Sequence, residues 1–426
     1  MNRRRRSLLI FFTGLLFGLA IARIFYWQGV VTPIYVPSGS MVPTLRGTHF
    51  AVVCEDCEFP FQCDAASAPE TGKAVCPNCG FPGNPLTQRQ LRRGQRVVID
   101  RFPYLLRLPR RWDLVAFQDP LVPDAKAVKR VVGLPGETVA IRQGDLFVDG
   151  QIVRKPIDVQ RSMAVLVHDD LFRPARTNDL PPRWDAVQEQ SGWESCATGY
   201  QFSPRANVDQ VDWLKYRSWR CFASPLERSD ETPVLDHYGY NQNTSRELHA
   251  VADLTLSCRA RWSSPSRLWL SVRDGRDSFE VELDRGRHTA TLRREDVVIG
   301  TRFCPLTNAC NLEFGICDRQ VFLTVNRRVA FRESFEPSER LRQPTASPLA
   351  LGGDRGELMI GDLKVYRDVY YLEPHGRSQD WTMRTQPEGR EILVLGDNVP
   401  ISRDSRRWPS TGLSHKSLIG RVLMPF

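Results

Sequence analysis

Between residues 251 and 371 apolar and polar side chains alternate with a period of two in one run after another: VADLTLSCRARW, RLWLSVRDG, SFEVELD, HTATLRR, QVFLTVNRRVAF, PLALGG and ELMIGDLKVYRDVYY. A period of two places the apolar side chains of each run on one face, so each run reads as a half-buried strand, and the Gly, Asn and Asp between runs supply turns. Strands at roughly even spacing with one face to bury close as packed sheets, so this segment is expected to be a β-sandwich or jelly roll. No unit of about 20–50 residues repeats, which argues against a solenoid or propeller. A second β block precedes it: RVVIDRFPY, DLVAF, AVKRVVG and DLFVDGQIV are short β-branched runs, the last folding back at Asp149 and Gly150 as a hairpin. With 426 residues the chain exceeds one ordinary core, and a mainly β fold of two or three domains is expected.

The N-terminus reads differently. MNRRRR precedes SLLIFFTGLLFGLAIARIFYWQGVV, which is free of charge from Ser7 to Ala22 and interrupted only by Arg23. About 20 apolar residues cross a bilayer core, and an arginine near one end can snorkel beside Tyr26 and Trp27. Residues 1–31 are therefore expected to form a cytoplasmic basic tail and a single transmembrane anchor. The chain beyond would lie outside the cytoplasm, in contact with lipid at the cell membrane. A cleaved signal peptide is the rival reading, but a small-x-small cleavage site is lacking and the stretch is long for the apolar region of such a peptide. The net charge of +9 raises nucleic acid as a partner. Acids alternate with the arginines along most of the chain and no aromatic-interleaved basic stripe occurs, so no nucleic-acid partner is expected.

The run IYVPSGSMVPTL, residues 34 to 45, sets two serines one residue apart between prolines. A serine acts as a nucleophile at neutral pH only with a base within hydrogen-bond reach and donors aimed at the developing oxyanion. None of the seven histidines (49, 168, 237, 249, 288, 375, 415) lies in a recognisable catalytic phrase. Lysine is the alternative base, because burial disfavours the ammonium. Of the seven lysines only Lys129, in AVKRVVGLPGE, lies in a valine-rich strand that ends in a Gly-Leu-Pro-Gly turn.

Four phrases then resemble the type I signal peptidases, membrane-anchored Ser-Lys endopeptidases: PSGSMVPTL at 37–45, RRWDLVAF at 110–117, KRVVGLPGE at 129–137 and GDNVPISRDSR at 396–406. They occur in that family's order after an apolar segment and, with the strands between them, cover about 130 of 426 residues. The resemblance implies Ser40 as nucleophile and Lys129 as general base. It also implies an oxyanion hole from the Ser38 hydroxyl and the Ser40 backbone N–H, and Ser402 as the group that orients the lysine amine. Asp404 and Arg406 would form a supporting ion pair, and Gly396, Asp397 and Asn398 the tight turn that brings this segment in. Met41 and the strand region 96–102, with Val97 and Ile99, would line a groove where an extended substrate adds as a strand. One departure stands out: Val399, followed by Pro400, occupies the position where the family's phrase commonly has arginine. The implied activity is removal of signal peptides from exported preproteins by an acyl-enzyme route, with no cofactor in the chemistry and small residues at the first and third positions before the cleaved bond.

CEDC at 54–57 and CPNC at 76–79 are two Cys-x-x-Cys knuckles, a spacing resembling zinc ribbons in general. A structural zinc on Cys54, Cys57, Cys76 and Cys79 is the reading; disulfides are the alternative outside the cytoplasm. Four thiolates close the coordination sphere, which argues against a catalytic metal. The other seven cysteines (63, 196, 221, 258, 304, 310, 317) are an odd number, so they cannot all pair within the chain.

The run at 251–371 resembles the concanavalin-like lectin and laminin-G family in pattern, without a sharp motif. The expected organisation is a signal-peptidase-type, barrel-like catalytic β-domain split over 32–46, 94–155 and 385–426. A zinc-ribbon-like insert at 47–93 and a lectin-like sandwich at 246–371 interrupt it, joined by an irregular linker at 156–245 and a return linker at 372–384. Glycan or an envelope protein would be the sandwich's partner. A different class of reading is a membrane-anchored binding protein on a vestigial peptidase platform, and joint retention of Ser40 and Lys129 argues against it. A self-cleaving repressor of related Ser-Lys fold is opposed by the apolar N-terminus and by the absence of a DNA-binding helical motif.

Overall fold

The computed structural model describes residues 3–27, 31–87, 89–175, 181–205, 210–219, 221, 230–262, 265–339, 342–373, 379–385, 389–410 and 412–423. The fold is mainly β. Alternation in 251–371 produces the expected strands, as in Asp277–Asp284, where buried and half-buried side chains alternate along the whole strand. Two sheets result. One orders Trp193–Cys196, Gly199–Phe202, Leu358–Arg367, Leu254–Trp262, Ala309–Cys317, Gln320–Val325 and Arg328–Ser334, with Val165–Asp169 also paired to Leu358–Arg367. The other orders Trp184–Ala186, Asp212–Tyr216, Leu349–Arg355, Arg267–Asp274, Asp277–Asp284, Thr289–Arg294 and Val297–Phe303. Their inner faces share one core that includes Leu268, Leu270, Val281, Phe314, Ile316 and Leu351.

Residues 156–245 are not the irregular linker expected. Among the described residues they hold a helix, Ile157–Met163, and five strands that extend both of these sheets. These strands are three to five residues long, too short for a period to be visible in sequence, and they bury Trp184, Trp193, Tyr200, Phe202 and Leu214 in the sandwich core.

A separate seven-stranded sheet draws on three distant stretches of chain. Its order is Val31–Tyr35, Arg96–Asp100, Leu418–Leu423, Leu114–Gln118, Lys126–Gly133, Glu391–Leu395 and Leu413–Ser414. The strand latest in sequence thus lies between two early ones. A four-stranded sheet (Gln151–Ile152, Asp145–Val148, Thr138–Arg142, Asp380–Thr382) packs beside it, the shared core including Val132, Ile141, Leu146, Trp381 and Leu395. Residues 49–92 form a small ribbon in which His49–Val53 pairs Pro60–Asp64 and Leu91–Arg92, and Lys73–Ala74 pairs Asn84–Pro85. Of the expected return linker at 372–384, residues 374–378 lie outside the described residues.

The N-terminal segment is a 25-residue helix, Arg3–Trp27, with Ile10, Phe11, Phe12, Leu16 and Phe17 exposed. Among the described residues no helix is long and apolar enough to cross a membrane.

Candidate active site

Ser40 sits in a single 3-10 turn, Gly39–Met41, closely held by its surroundings. The Asn398 backbone N–H donates to the Ser40 carbonyl at 3.0 Å, and the Asn398 side-chain amide donates to the Gly39 carbonyl at 2.9 Å. The Tyr240 ring lies so close to Gly39 that a Cβ there would fall 2.3 Å from Tyr240 Cε1, which restricts the position to glycine. Ser40 itself is buried.

Lys129 reaches this serine from strand Lys126–Gly133, where the backbone pairs residue 129 with Val115. Lys129 Nζ donates to Ser40 Oγ at 2.7 Å, and both groups are buried. Burial pushes the Lys129 ammonium down from 10.5 to about 8, against the opposing pull of Asp404, Asp119 and Asp397. A substantial fraction of the amine is thus neutral near pH 8, the state that can take a proton from a hydroxyl. The Ser38 hydroxyl donates to Ser40 Oγ at 3.2 Å, which places a second polar hydrogen at that oxygen. No described histidine hydrogen-bonds to Ser40, and His375 lies outside the described residues.

Two buried ion pairs brace the turn that packs against this dyad. Asp404 takes Arg406 Nε and Nη2 at 2.9 and 2.8 Å and also accepts the Gly396 N–H at 3.0 Å. Burial alone would push the Asp404 carboxyl up, but the Arg406 guanidinium more than offsets this and holds it below the usual carboxylate range. Asp397 takes Arg130 Nε and Nη2 at 2.9 and 2.7 Å, and the Thr44 hydroxyl donates to the same carboxylate at 2.5 Å. Thr44 lies on the Ser40 loop and Arg130 directly follows Lys129, so this cluster ties the segments that carry Ser40 and Lys129 to the third segment. Sequence reasoning missed Arg130 and Thr44, although both lie inside the quoted phrases.

Gly396 is where backbone must approach backbone: a Cβ there would lie 2.6 Å from the Ser40 carbonyl oxygen and 2.2 Å from Ser402 Oγ. Ser402 Oγ is buried beside the same turn, where it helps hold the Asp404 carboxyl down, and it makes no hydrogen bond to Lys129. Val399, the departure from the common phrase, is fully buried in the core with Val132, Leu393 and Leu395, and its carbonyl accepts Arg406 Nη2 at 2.9 Å. An apolar side chain suits that environment.

The substrate-lining residues need correction. Met41, Val97 and Ile99 are fully buried in one cluster with Val36, Leu45 and Ala116. Strand Arg96–Asp100 is paired along one side by Val31–Tyr35 and along the other by Leu418–Leu423, so it offers no edge over residues 98–100. The open edge lies on the lysine strand. On that strand Glu391–Leu395 reaches only Arg130, Val131 and Gly133, so among the described residues 126–128 have no neighbour on that side, next to Lys129.

Two further contributors come from the supposed linker. The Tyr238 hydroxyl donates to the Asp397 carbonyl at 2.7 Å, and Asn241 exchanges amide hydrogen bonds with Asn398. Nothing in local sequence pattern signals contacts across more than 150 residues of chain.

The four cysteines of the ribbon converge, with the sulfurs all within 4.8 Å of one another. Cys54 and Cys79 sulfurs lie 3.6 Å apart and those of Cys57 and Cys76 3.7 Å apart. Tetrahedral thiolates about 2.3 Å from a zinc ion would be about 3.8 Å apart, so the set fits a metal ion. The two knuckles share one backbone design. Cys54 N donates to Phe59 O and Cys76 N to Phe81 O, while Glu58 N and Gly80 N donate back to Cys54 O and Cys76 O. Glu58 and Gly80 both have positive φ, 62° and 73°. Among the described residues no disulfide is present.

Residues 86–191 match the family model described as signal peptidase, peptidase S26, a span that contains Lys129 but neither Ser40 nor 396–406. Among curated proteins the chain is similar to signal peptidase I V of Bacillus subtilis (strain 168), 35% identical over 78 residues, covering 18% of this chain and 42% of that protein. It is also similar to signal peptidase I of Pseudomonas aeruginosa, 32% identical over 77 residues, covering 15% of this chain and 27% of that protein. The chain therefore spans less than half the length of these relatives. Among solved structures it is similar to the carbohydrate binding module CBM66 from Bacillus subtilis, at 9% identity and TM-score 0.30, covering 43% of this chain and 94% of that one. The galectin LEC-6 of Caenorhabditis elegans matches at 13% identity and TM-score 0.21, covering 28% and 82%.

Proposed function

On the premise that the chain is a member of the signal peptidase, peptidase S26, family, we propose that it is a membrane-bound serine endopeptidase that removes signal peptides from exported preproteins with a Ser40–Lys129 dyad. The observation that carries this reading is the 2.7 Å contact between Lys129 Nζ and Ser40 Oγ in a buried setting that lowers the lysine's proton affinity. An inert platform has no use for a buried amine on a serine hydroxyl.

In the proposed mechanism the neutral Lys129 amine takes the Ser40 proton as Oγ attacks the substrate carbonyl. The Ser38 hydroxyl and the Ser40 N–H stabilise the oxyanion; loss of one such donor costs about 100- to 1000-fold in rate. The lysine ammonium then protonates the leaving amine, leaving an acyl-enzyme, and the regenerated amine activates the water that releases the signal peptide. Asp404 with Arg406, and Asp397 with Arg130, hold the third segment against the dyad. The substrate lies extended, adding to the free edge at 126–128, with small side chains at the first and third positions before the bond.

Helix Arg3–Trp27 is proposed as the anchor, supported by its basic start and exposed apolar side chains, with the catalytic portion outside the cytoplasm. The ion held by Cys54, Cys57, Cys76 and Cys79 is proposed to be a structural zinc that fixes the ribbon and takes no part in the reaction.

The test is cleavage of a preprotein bearing an Ala-x-Ala site by detergent-purified protein, beside Ser40→Ala and Lys129→Ala. Cleavage at that site by the parent, lost by several orders of magnitude in both folded variants, supports the dyad. Full activity in either variant sinks it.

A further inference from the structure

A groove of about 360 Å³ opens beside the nucleophile loop, walled by Val42 and Pro43 of that loop, Phe61 and Gln62 of the cysteine ribbon, and Leu166 and Val167 at the edge of the sandwich. We propose that this groove holds the extended polypeptide of the substrate on the C-terminal side of the scissile bond, an inference that rests on the peptidase reading above.

Two sheet edges face this space. Among the described residues, Pro60–Asp64 pairs only with His49–Val53, and Val165–Asp169 pairs only with Leu358–Arg367. The Cys54 N to Phe59 O bond fixes which alternate residues of the ribbon strand face its partner, and Gln62 is among those that face away. Each edge is closed at one end. Asp64 N donates to the Tyr240 carbonyl at 2.9 Å, and the Asn78 side-chain amide exchanges bonds of 2.8 and 3.1 Å with the Asp169 backbone, standing in for a neighbouring strand. Between these plugs, residues 60–62 and 165–167 both wall the groove.

Unpaired strand edges are normally covered, or blunted with charge or proline; Arg46 is the one charged residue in this lining, and Pro60 removes one donor, leaving the Gln62 N–H on the ribbon edge. An apolar channel flanked by free backbone suits an extended chain of variable sequence, because main-chain bonds supply affinity whatever the side chains. The direction follows from the nucleophile loop. Val36, before Ser40, and Val128, within the open edge at 126–128, belong to one buried cluster. Val42 and Pro43, after Ser40, wall the groove. A chain crossing Ser40 with its signal-peptide side on the first edge leads its other side into the second.

The experiment compares two peptides with the same cleavage site, one ending two residues after the bond and one extending about ten residues beyond it. The expected result is a kcat/KM roughly tenfold higher for the longer peptide, the equivalent of two net main-chain hydrogen bonds. N-methylation of alternate backbone amides in the added segment should abolish the gain, and this measurement leaves the protein untouched. A photo-crosslinking residue at position 166 in Ser40→Ala should capture the residues after the bond. Equal rates for both peptides, or capture of residues before the bond, would overturn the groove while leaving Ser40-dependent cleavage of the short peptide intact. If neither peptide is cut, the groove falls together with the peptidase reading.

Discussion

Asn241 and Asn398 exchange two amide hydrogen bonds, 2.6 and 2.8 Å long, deep beneath the nucleophile turn. Asn398 in turn holds the carbonyls of both Gly39 and Ser40. Asn241→Ala would leave a buried amide partly unsatisfied, at a cost of about 1–3 kcal/mol, and would loosen the group that positions the serine. The expected outcome is a fall in kcat of about tenfold or more with little change in KM, measured by steady-state kinetics on a fixed peptide. An unchanged kcat would remove Asn241 from the positioning network.

The pH profile follows from Lys129. In the proposed dyad the amine acts only when neutral, so kcat/KM should rise about tenfold per unit below pH 8 and level off above the lysine's value of about 8. The linked effect on stability has a definite sign. From about 8 to 10.5 the unfolded chain holds a proton that the folded chain has released, so stability rises with pH across that window. Below 8 the whole cost of the buried ammonium is present. Lys129→Met should therefore be inactive yet more stable than the parent at pH 6, by up to roughly 3 kcal/mol, with the advantage shrinking between pH 8 and 10.5. Urea unfolding at pH 6 and pH 10 reads this difference.

Arg130 and Asp397 are almost fully buried and bound bidentately. Removing one partner strands the other's charge, which typically costs about 3–5 kcal/mol. Arg130→Met should lower the urea midpoint accordingly, whereas Arg130→Met with Asp397→Leu should recover much of the stability and still lack activity. Equal instability of the single and double variants would show that the charge pairing is not the source of the effect.

The ribbon should carry close to one equivalent of zinc by elemental analysis of reduced protein. Cys76→Ser should lose the metal and make residues 47–93 the first site of limited proteolysis. Well under one equivalent in the parent would count against a resident ion.

The sandwich was legible because its strands are long enough to display a period of two. The strands between 184 and 216 were not, since three to five residues rich in Trp and Tyr carry no period and are recruited by partners far along the chain. At the site, Ser40 and Lys129 were legible through their phrases, and the structure brings them together. Arg130 was overlooked because its significance depends on Asp397, 267 residues away. Met41, Val97 and Ile99 look like a substrate wall in sequence, but the turn that carries Met41 and the strand that carries Val97 and Ile99 pack their side chains into one buried cluster. Ser402 reached the right neighbourhood without the expected bond.

The placement of strand Leu418–Leu423 between Arg96–Asp100 and Leu114–Gln118 has a consequence for biosynthesis. A nascent chain that has reached residue 400 already contains Ser40 and Lys129, but the sheet carrying them has an empty lane in its middle. Non-local pairings of this kind close late and slowly, because the loop entropy must be overcome before the contacts form. On the proposed peptidase reading, the sheet that carries Ser40 and Lys129 is complete only once strand Leu418–Leu423 has been made.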